Sequence, residues 1–388
     1  MDASLLLVIT SLSSKPRMEK DEVCKLVEAL DMANIVTGYF ENGRKEALFA
    51  LMEGLQSCLV DLDVDNLGES DCYRPKKRPR LDDKAFSSRT HFQSKQALLP
   101  NIREITRYGS MYDAPDLDLL ANEVAPFIVT GGVSHWPAIS DPSRQWRDPN
   151  YLLKVAGEGR IVPVEIGSSY TAEGWTQSMV EFSQFLKRIH WDGQDSLHRN
   201  GNPDTSDDNL ASAPTLYLAQ HDLFQQFPSL LSDITTPDFV FAEPPAPAHY
   251  PEYTPPRKGV GYIMNAWMGP KGTYSPAHTD PFFNCYAQVV GMKHIWVAPP
   301  ECAAHMHGKN GKEHEEAEEE EEENPGQHEA ATSAVQKLMD NTTTINVFDA
   351  SELSSICTGK RNPFEKHVLP QAMQAILQEG DLLFMPPK

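Results

Sequence analysis

Residues 265–293 read NAWMGPKGTYSPAHTDPFFNCYAQVVGMK and carry His278 and Asp280 two positions apart. The pair follows a Gly/Pro turn at 269–272 and precedes two strand-like segments. Residues i and i+2 of a strand point to the same face, so one imidazole and one carboxylate can reach a single cation. Such a pair supplies two of the three ligands in the facial triad of non-haem Fe(II) oxygenases.

Taken alone, a His-x-Asp pair is weak evidence for a metal site. The chain has 13 His, and a second pair, His190 and Asp192, occurs where a helical pattern runs into a loop rich in Gly, Asn and Asp. We interpret that second pair as a chance match. The strand context of His278 and Asp280 favours these two as the metal ligands.

The wider context of the pair is rich in predicted strands. From about residue 98, short segments rich in Val, Ile, Phe and Tyr alternate with Pro/Gly turns, a pattern typical of a β-sandwich or barrel. Helical patterns lie among them at 179–189 and 370–378. The predicted class is α+β, mainly β. The predicted strands are 126–130, 161–166, 215–219, 262–267, 284–290, 294–298 and 381–385.

Three regions are predicted along the chain. Residues 1–65 form a helical region, with amphipathic helices at 18–36 and 45–63 that pack together or dock a partner. Residues 66–97 form a basic linker, and residues 98–388 form the main domain. The linker's basic cluster, Lys76 to Arg80, predicts nuclear import; a solvated charge run in a cytoplasmic protein is the alternative.

Charge and composition exclude several classes of protein. The net charge is -21, from 34 basic and 55 acidic side chains, so we expect no direct nucleic-acid binding. We expect no membrane span, no signal peptide and no CxxC zinc or disulfide framework, and hence an intracellular protein. Nine Glu lie within 313–323, inside a predicted acidic surface insertion at 303–345. That insertion is either a solvated loop or a contact for a basic partner such as a histone.

The 265–293 stretch resembles the JmjC, or cupin-type, Fe(II)- and 2-oxoglutarate-dependent dioxygenases. The nearest branch is that of lysine-specific demethylase 8 and arginyl hydroxylases. The resemblance covers roughly residues 98–388 and includes the segments 163–170, 217–224 and 379–387. It implies a double-stranded β-helix (jelly roll, cupin) with flanking helices, preceded by a helical region.

The resemblance also implies a set of site residues, with Fe(II), 2-oxoglutarate and O₂ as cofactor and cosubstrates. Lys293 merits separate mention because a Lys inside a barrel needs an anionic partner, although an exposed strand Lys is the alternative. The implied roles are iron ligation by His278 and Asp280, pairing with the distal carboxylate of 2-oxoglutarate by Lys293, further cosubstrate contacts from Tyr217, Ser275 and Asn284, and a substrate entrance near Trp267 and Glu165.

Three functions follow as expectations. The first is hydroxylation of a protein side chain, of the arginyl hydroxylase type, on a protein or peptide substrate. The second is demethylation of histone methyl-lysine, which would release formaldehyde. The third is a non-catalytic binding protein with a degenerate site.

The sequence departs from the family pattern at one place. The third iron ligand is expected a few residues after the segment Phe384-Met-Pro-Pro387, and the sequence ends at Lys388. The last barrel strands are then expected to be missing. We therefore expect residues 1–388 alone to show little or no turnover, and the full-length form to be an enzyme.

Overall fold

A computed structural model gives the architecture of most of the chain. The basic cluster at 75–80, the Glu313–Glu323 run and the second His-x-Asp pair lie outside the residues it describes. The described residues are 2–14, 18–37, 44–65, 98–117, 125–167, 174–189, 214–254, 261–306, 342–343, 345–349 and 363–387.

The N-terminal part is a set of three helices, α1 (Asp2–Ser14), α2 (Lys20–Thr37) and α3 (Arg44–Asp65). The two helices predicted from periodicity are therefore confirmed. Helix α1 was not predicted, although its Val8 is fully buried against the other two. The shared apolar core consists of Val8, Val23, Leu26, Val27, Leu30, Leu48, Met52, Leu55 and Leu59.

The rest of the described chain contains three sheets and short helices, so the predicted α+β, mainly β class is confirmed. The sheet orders are β1-β10-β9, β2-β3-β11-β8 and β5-β4-β6-β7. Most neighbours are antiparallel, but β1 runs parallel to β10 and β2 parallel to β3. Within the described ranges the strands do not close a barrel. The strands are β1 (Arg103–Glu104), β2 (Thr106–Tyr108), β3 (Phe127–Val129), β4 (Ile161–Ile166), β5 (Thr176–Glu181), β6 (Leu216–His221), β7 (Ala266–Met268), β8 (Asn284–Ala287), β9 (Lys293–Val297), β10 (Met373–Leu377) and β11 (Leu382–Met385).

Two helix predictions need correction. Residues 370–378 do not form a helix, because Met373–Leu377 is the central strand of the first sheet, bonded to β1 and β9. Its Ala, Leu, Met and Gln residues favour helix, and pairing on both sides overrides that preference. Residues 179–189 are divided between the end of β5 and a helix that starts at Phe182.

Short helices connect the strands, and two of them carry side-chain caps. Asp148 accepts a hydrogen bond from the Asn150 amide, and Asp222 accepts one from the Gln225 amide. Of the helices described, none is sufficiently long and apolar to cross a membrane. The α-helices are α4 (Pro137–Ser140), α5 (Pro149–Ala156), α6 (Phe182–Arg188) and α7 (Leu223–Gln226), with 3₁₀ helices at Pro228–Asp233, Asp238–Phe241 and Pro300–His305 and a π-helix at Phe364–Val368.

Candidate functional site

The His278 and Asp280 side chains meet just before β8. The His278 Nε2 atom lies 3.7 Å from an Asp280 carboxylate oxygen, and the side chains are 38% and 51% exposed. The pair does not lie on a continuous strand, because His278 forms only an isolated bridge with Thr342. The imidazole and the carboxylate are nevertheless adjacent and open to a cation.

Neighbouring groups orient both side chains. The Pro276 carbonyl oxygen lies 2.8 Å from His278 Nδ1. A carbonyl oxygen only accepts, so in the neutral ring Nδ1–H donates and the Nε2 lone pair is left for a ligand. The Asn284 side-chain amide donates to the other Asp280 oxygen at 3.2 Å. These are the outer contacts that metal ligands commonly have.

Among the described residues, no third protein ligand lies near this pair. Across the described ranges, no group of three or more His, Cys, Asp or Glu side chains could hold a metal ion. The nitrogen and oxygen donors of the pair suit a divalent first-row metal such as iron. The two side chains therefore fit part of an iron site.

Lys293 is the first residue of β9, and its ammonium is largely removed from water. Burial lowers the pKa of Lys293 to about 8. Its Nζ lies 5.1 Å from the centre of the Tyr286 ring. Within the part of the chain that the structure describes, Lys293 has no carboxylate within ion-pair distance. A desolvated ammonium without an acid nearby is a favourable place for an anionic ligand.

Strand β8 links His278 and Asp280, the metal pair, to the Lys293 ammonium. Asn284 contacts Asp280, and Tyr286, two residues further along the strand, contacts Lys293. Positions i and i+2 share a face and lie roughly 7 Å apart along a strand. A five-carbon dicarboxylate can span that separation, with one carboxylate at the metal pair and the other at Lys293.

Tyr217 and Glu165 face each other from neighbouring strands of the third sheet. The two residues are directly opposed in the β4–β6 pairing. Burial raises the pKa of Tyr217 to about 12, with a smaller lowering by the adjacent Ser275 hydroxyl and a raising by Glu165. The structure therefore brings Tyr217, Ser275 and Glu165 together.

Gly269 allows the close approach of Tyr217 to the segment after β7. A Cβ atom at position 269 would lie 2.7 Å from a Tyr217 ring carbon and 2.8 Å from the Thr273 hydroxyl oxygen. Both distances are too short for a side chain. Any side chain at position 269 would therefore displace the Tyr217 ring.

The predicted entrance residues differ in exposure. Trp267, on β7, is 43% exposed, so part of its ring system is open to solvent. Glu165 is half-buried, and burial raises its pKa. The indole of Trp175 lies beside the Glu165 carboxyl and lowers that pKa, although its N–H is outside hydrogen-bond geometry.

Sequence reasoning missed Tyr286, Trp175 and Gly269. Tyr286 could have been found, because it shares a strand face with Asn284. Trp175 and Gly269 carry no such signal, since each matters only through a contact with a residue distant in sequence.

Comparisons with known proteins identify the family of the chain. The family described as "Cupin-like domain" matches residues 118–388. Jumonji C domain-containing protein 5 of Drosophila melanogaster is 32% identical over 301 residues, which cover 75% of this chain and 59% of that protein. Lysine-specific demethylase JMJ30 of Arabidopsis thaliana is 31% identical over 265 residues, covering 68% and 45%.

A fish protein gives a similar match. Lysine-specific demethylase 8 of Danio rerio is 32% identical over 260 residues, covering 65% of this chain and 53% of that protein. The chain thus spans about half the length of these curated relatives. The family match extends over most of the chain and confirms the predicted cupin fold class. The chain belongs to the cupin-like family, in its JmjC branch.

Proposed function

We propose that this protein is an Fe(II)- and 2-oxoglutarate-dependent oxygenase that acts on a protein side chain. The observation that carries the proposal is the arrangement along β8, where Asn284 contacts the metal pair and Tyr286 contacts the Lys293 ammonium. That spacing suits a metal-bound dicarboxylate. When bound, iron and 2-oxoglutarate supply the oxidising chemistry, in which 2-oxoglutarate and O₂ yield succinate, CO₂ and one oxygen atom for the substrate.

The chain's own residues hold and orient these groups. His278 offers Nε2 because Pro276 occupies Nδ1, and Asp280 is held by the Asn284 amide. Lys293 supplies a positive charge for the distal carboxylate, a charge-assisted contact. Ser275 lies beside the Tyr217 hydroxyl, and Tyr217 is close enough to Tyr286 to raise the pKa of the Tyr286 phenol, so both hydroxyls can serve the same cosubstrate.

Hydroxylation of an arginyl side chain is the specific reaction we propose. Glu165 offers a partly desolvated carboxylate beside the Trp175 indole, and Trp267, on β7 of the same sheet, is 43% exposed. A carboxylate with aromatic faces favours a cationic side chain such as guanidinium. The acidic net charge of the chain is consistent with a basic protein substrate, including a histone.

Demethylation of methyl-lysine is the second candidate. It is supported by the names of the Arabidopsis and Danio relatives, both lysine-specific demethylases. A methylated ammonium is also a cation that aromatic and carboxylate groups can bind. The nuclear location inferred from the Lys76–Arg80 cluster would suit either reaction and stays a prediction.

Product analysis separates the candidates. The full-length form of the protein is incubated with Fe(II), 2-oxoglutarate and basic peptides that contain arginine or methyl-lysine, and the peptides are analysed by mass spectrometry. Hydroxylation adds one oxygen atom without formaldehyde, whereas demethylation removes a methyl group and releases formaldehyde. If the protein binds 2-oxoglutarate and changes neither peptide, the non-catalytic alternative is favoured.

Replacing Tyr286 is expected to weaken cosubstrate binding. Tyr286→Leu removes the ring beside the Lys293 ammonium, and a cation–π contact contributes about 0.5–2 kcal/mol. The dissociation constant for 2-oxoglutarate should rise by about 3- to 30-fold in calorimetric titrations with Mn(II). Tyr286→Phe keeps the ring and is the control. Equal weakening in both variants would show that the phenol oxygen, and not the ring, matters.

A further inference from the structure

We propose that Asp31, on helix α2, is a positioning residue for the candidate site. It lies outside the matched cupin-like region, which begins at residue 118. Asp31 fixes the start of β4, the strand that carries Glu165. Gln226, which bonds the same strand start, also contacts the end of β6, the strand that carries Tyr217. The effect on substrate binding rests on the proposed function, whereas the effect on β4 does not.

A buried ion pair joins the N-terminal helices to the sheet domain. Asp31 is 0% exposed and Arg160 is 6% exposed. Arg160 donates through Nε and one terminal nitrogen to the two Asp31 oxygens, both at 2.7 Å. This bidentate geometry fixes the orientation of both side chains.

The remaining contacts of the guanidinium hold it in one place. Its terminal nitrogens donate to the carbonyls of Ala156 and Gln226, each at 3.1 Å. Its central carbon lies 4.5 Å from the centre of the Phe227 ring. Arg160 therefore joins α2, α5 and α7 at one buried point.

Asp31 also bonds the sheet directly. One of its carboxylate oxygens accepts the Ile161 amide N–H at 3.1 Å, and Ile161 is the first residue of β4. The Gln226 side-chain amide donates to the Ile161 carbonyl at 2.6 Å. Both backbone polar groups of Ile161 are thus held by side chains from other elements.

The same network reaches β6. The Gln226 side-chain oxygen lies 2.7 Å from Nε2 of His221, the last residue of β6. Strands β4 and β6 pair at Glu165 and Tyr217. A shift of β4 by one residue would turn Glu165 to the opposite face of the sheet, so the anchor at Ile161 determines where that carboxylate points.

Stability alone does not account for such a pair. Apolar residues of similar volume often replace a buried ion pair without loss of stability. They cannot accept the Ile161 N–H, however. The combination of charge pairing with a backbone acceptor at a strand start therefore indicates positioning.

Outer contacts place the helices against the same edge. The Gln56 side chain donates to the Glu158 carbonyl at 2.6 Å and accepts from the Glu158 amide at 2.9 Å. Lys20 pairs with the Glu158 carboxylate at 2.8 Å, with both side chains more than a third exposed. These contacts are open to water and contribute little by themselves. The buried pair is the specific link.

Hydrogen exchange measured by mass spectrometry tests the proposal on residues 1–388 without metal. Asp31→Leu should lower Tm, because it leaves the buried Arg160 guanidinium without a carboxylate to neutralise it. The double variant Asp31→Leu/Arg160→Met should recover much of that Tm. The β4 amides should nevertheless exchange about 5- to 10-fold faster than in the wild type, while β10 and β11 are unchanged. Wild-type protection of β4 in the double variant would overturn the proposal.

A matched control is available in the same chain. Asp233 is also 0% exposed and accepts from Arg144, Trp146 and Tyr151, but among the described residues it makes no hydrogen bond to β4. Asp233→Asn should lower Tm without a selective change at β4. Selective loss of β4 protection in this variant would show that any buried defect loosens the strand, and would contradict a special role for Asp31.

The kinetic consequence follows if the proposed oxygenase activity is found. The double variant should raise KM for a peptide substrate severalfold at little-changed kcat, because Glu165 is displaced while the metal pair is not. A fall in kcat at constant KM would contradict the positioning role. If no oxygenase activity is found, the exchange result still decides whether Asp31 anchors β4.

Discussion

Asp280→Ala is expected to abolish metal-dependent binding of 2-oxoglutarate. The substitution removes one of the two ligands that the structure brings together, leaving His278 alone. Loss of an outer-shell partner typically costs about 10- to 100-fold in metal affinity, and loss of a ligand should cost at least about 100-fold. Titration of Mn(II) followed by electron paramagnetic resonance measures the change directly, without any need for turnover.

Two further variants should give an intermediate loss and no loss of Mn(II) affinity. Asn284→Ala removes the amide that orients Asp280 and should weaken Mn(II) binding by about 10- to 100-fold. Asp113→Ala removes an exposed carboxylate that contacts Ser110 and should have no effect. Equal Mn(II) affinity in Asp280→Ala and the wild type would contradict the assignment of the metal pair.

Lys293→Met is expected to weaken 2-oxoglutarate binding and to stabilise the free protein. Truncating one partner of a desolvated charge pair costs about 2–5 kcal/mol, so the dissociation constant should rise at least about 30-fold. In the free protein the same change removes a desolvated ammonium that has no acid beside it in the described structure, so Tm should rise. Calorimetric binding and thermal unfolding measure the two effects. If the affinity for 2-oxoglutarate and Tm both fell, Lys293 would be a residue that stabilises the fold.

The pH dependence of both effects follows from the lowered pKa of Lys293. Because that pKa is about 8 in the folded state and ordinary in the unfolded state, the ammonium destabilises the fold fully below pH 8. Stability should rise as the pH rises from 8 towards the ordinary value, while 2-oxoglutarate affinity should fall about tenfold per pH unit above 8. Tyr217 stays neutral in this range because burial raises its pKa to about 12. In Lys293→Arg the side chain stays charged, so neither stability nor 2-oxoglutarate affinity should change in this way above pH 8.

The strands of the site could be predicted because the local preference of their residues and their pairing in the sheet both favour strand. Four of the six residues 161–166 are Ile or Val, which favour strand, and the observed β4 has the predicted bounds. Lys293 immediately precedes the strand predicted at 294–298, and it is the first residue of β9. Here local preference and tertiary pairing agree, which is the case in which sequence reasoning succeeds.

The failures occurred where tertiary contacts overrode local preference or joined distant residues. The helix-favouring residues of β10 became a strand because both of its edges are paired. His278 and Asp280 meet on an irregular segment and not on a strand, since the His278 bridge to Thr342 is isolated. Asp31 carries no sequence signal at all, because its partner Arg160 lies 129 residues away.

The central claim is that one site built from His278, Asp280 and Lys293 binds a metal ion and 2-oxoglutarate together. Calorimetric titration of 2-oxoglutarate into residues 1–388, with and without Mn(II), tests it most directly. We predict that Mn(II) strengthens binding in the wild type, that this strengthening is lost in Asp280→Ala, and that binding is at least about 30-fold weaker in Lys293→Met. Binding that is independent of Mn(II), or equal in the wild type and both variants, would contradict the claim.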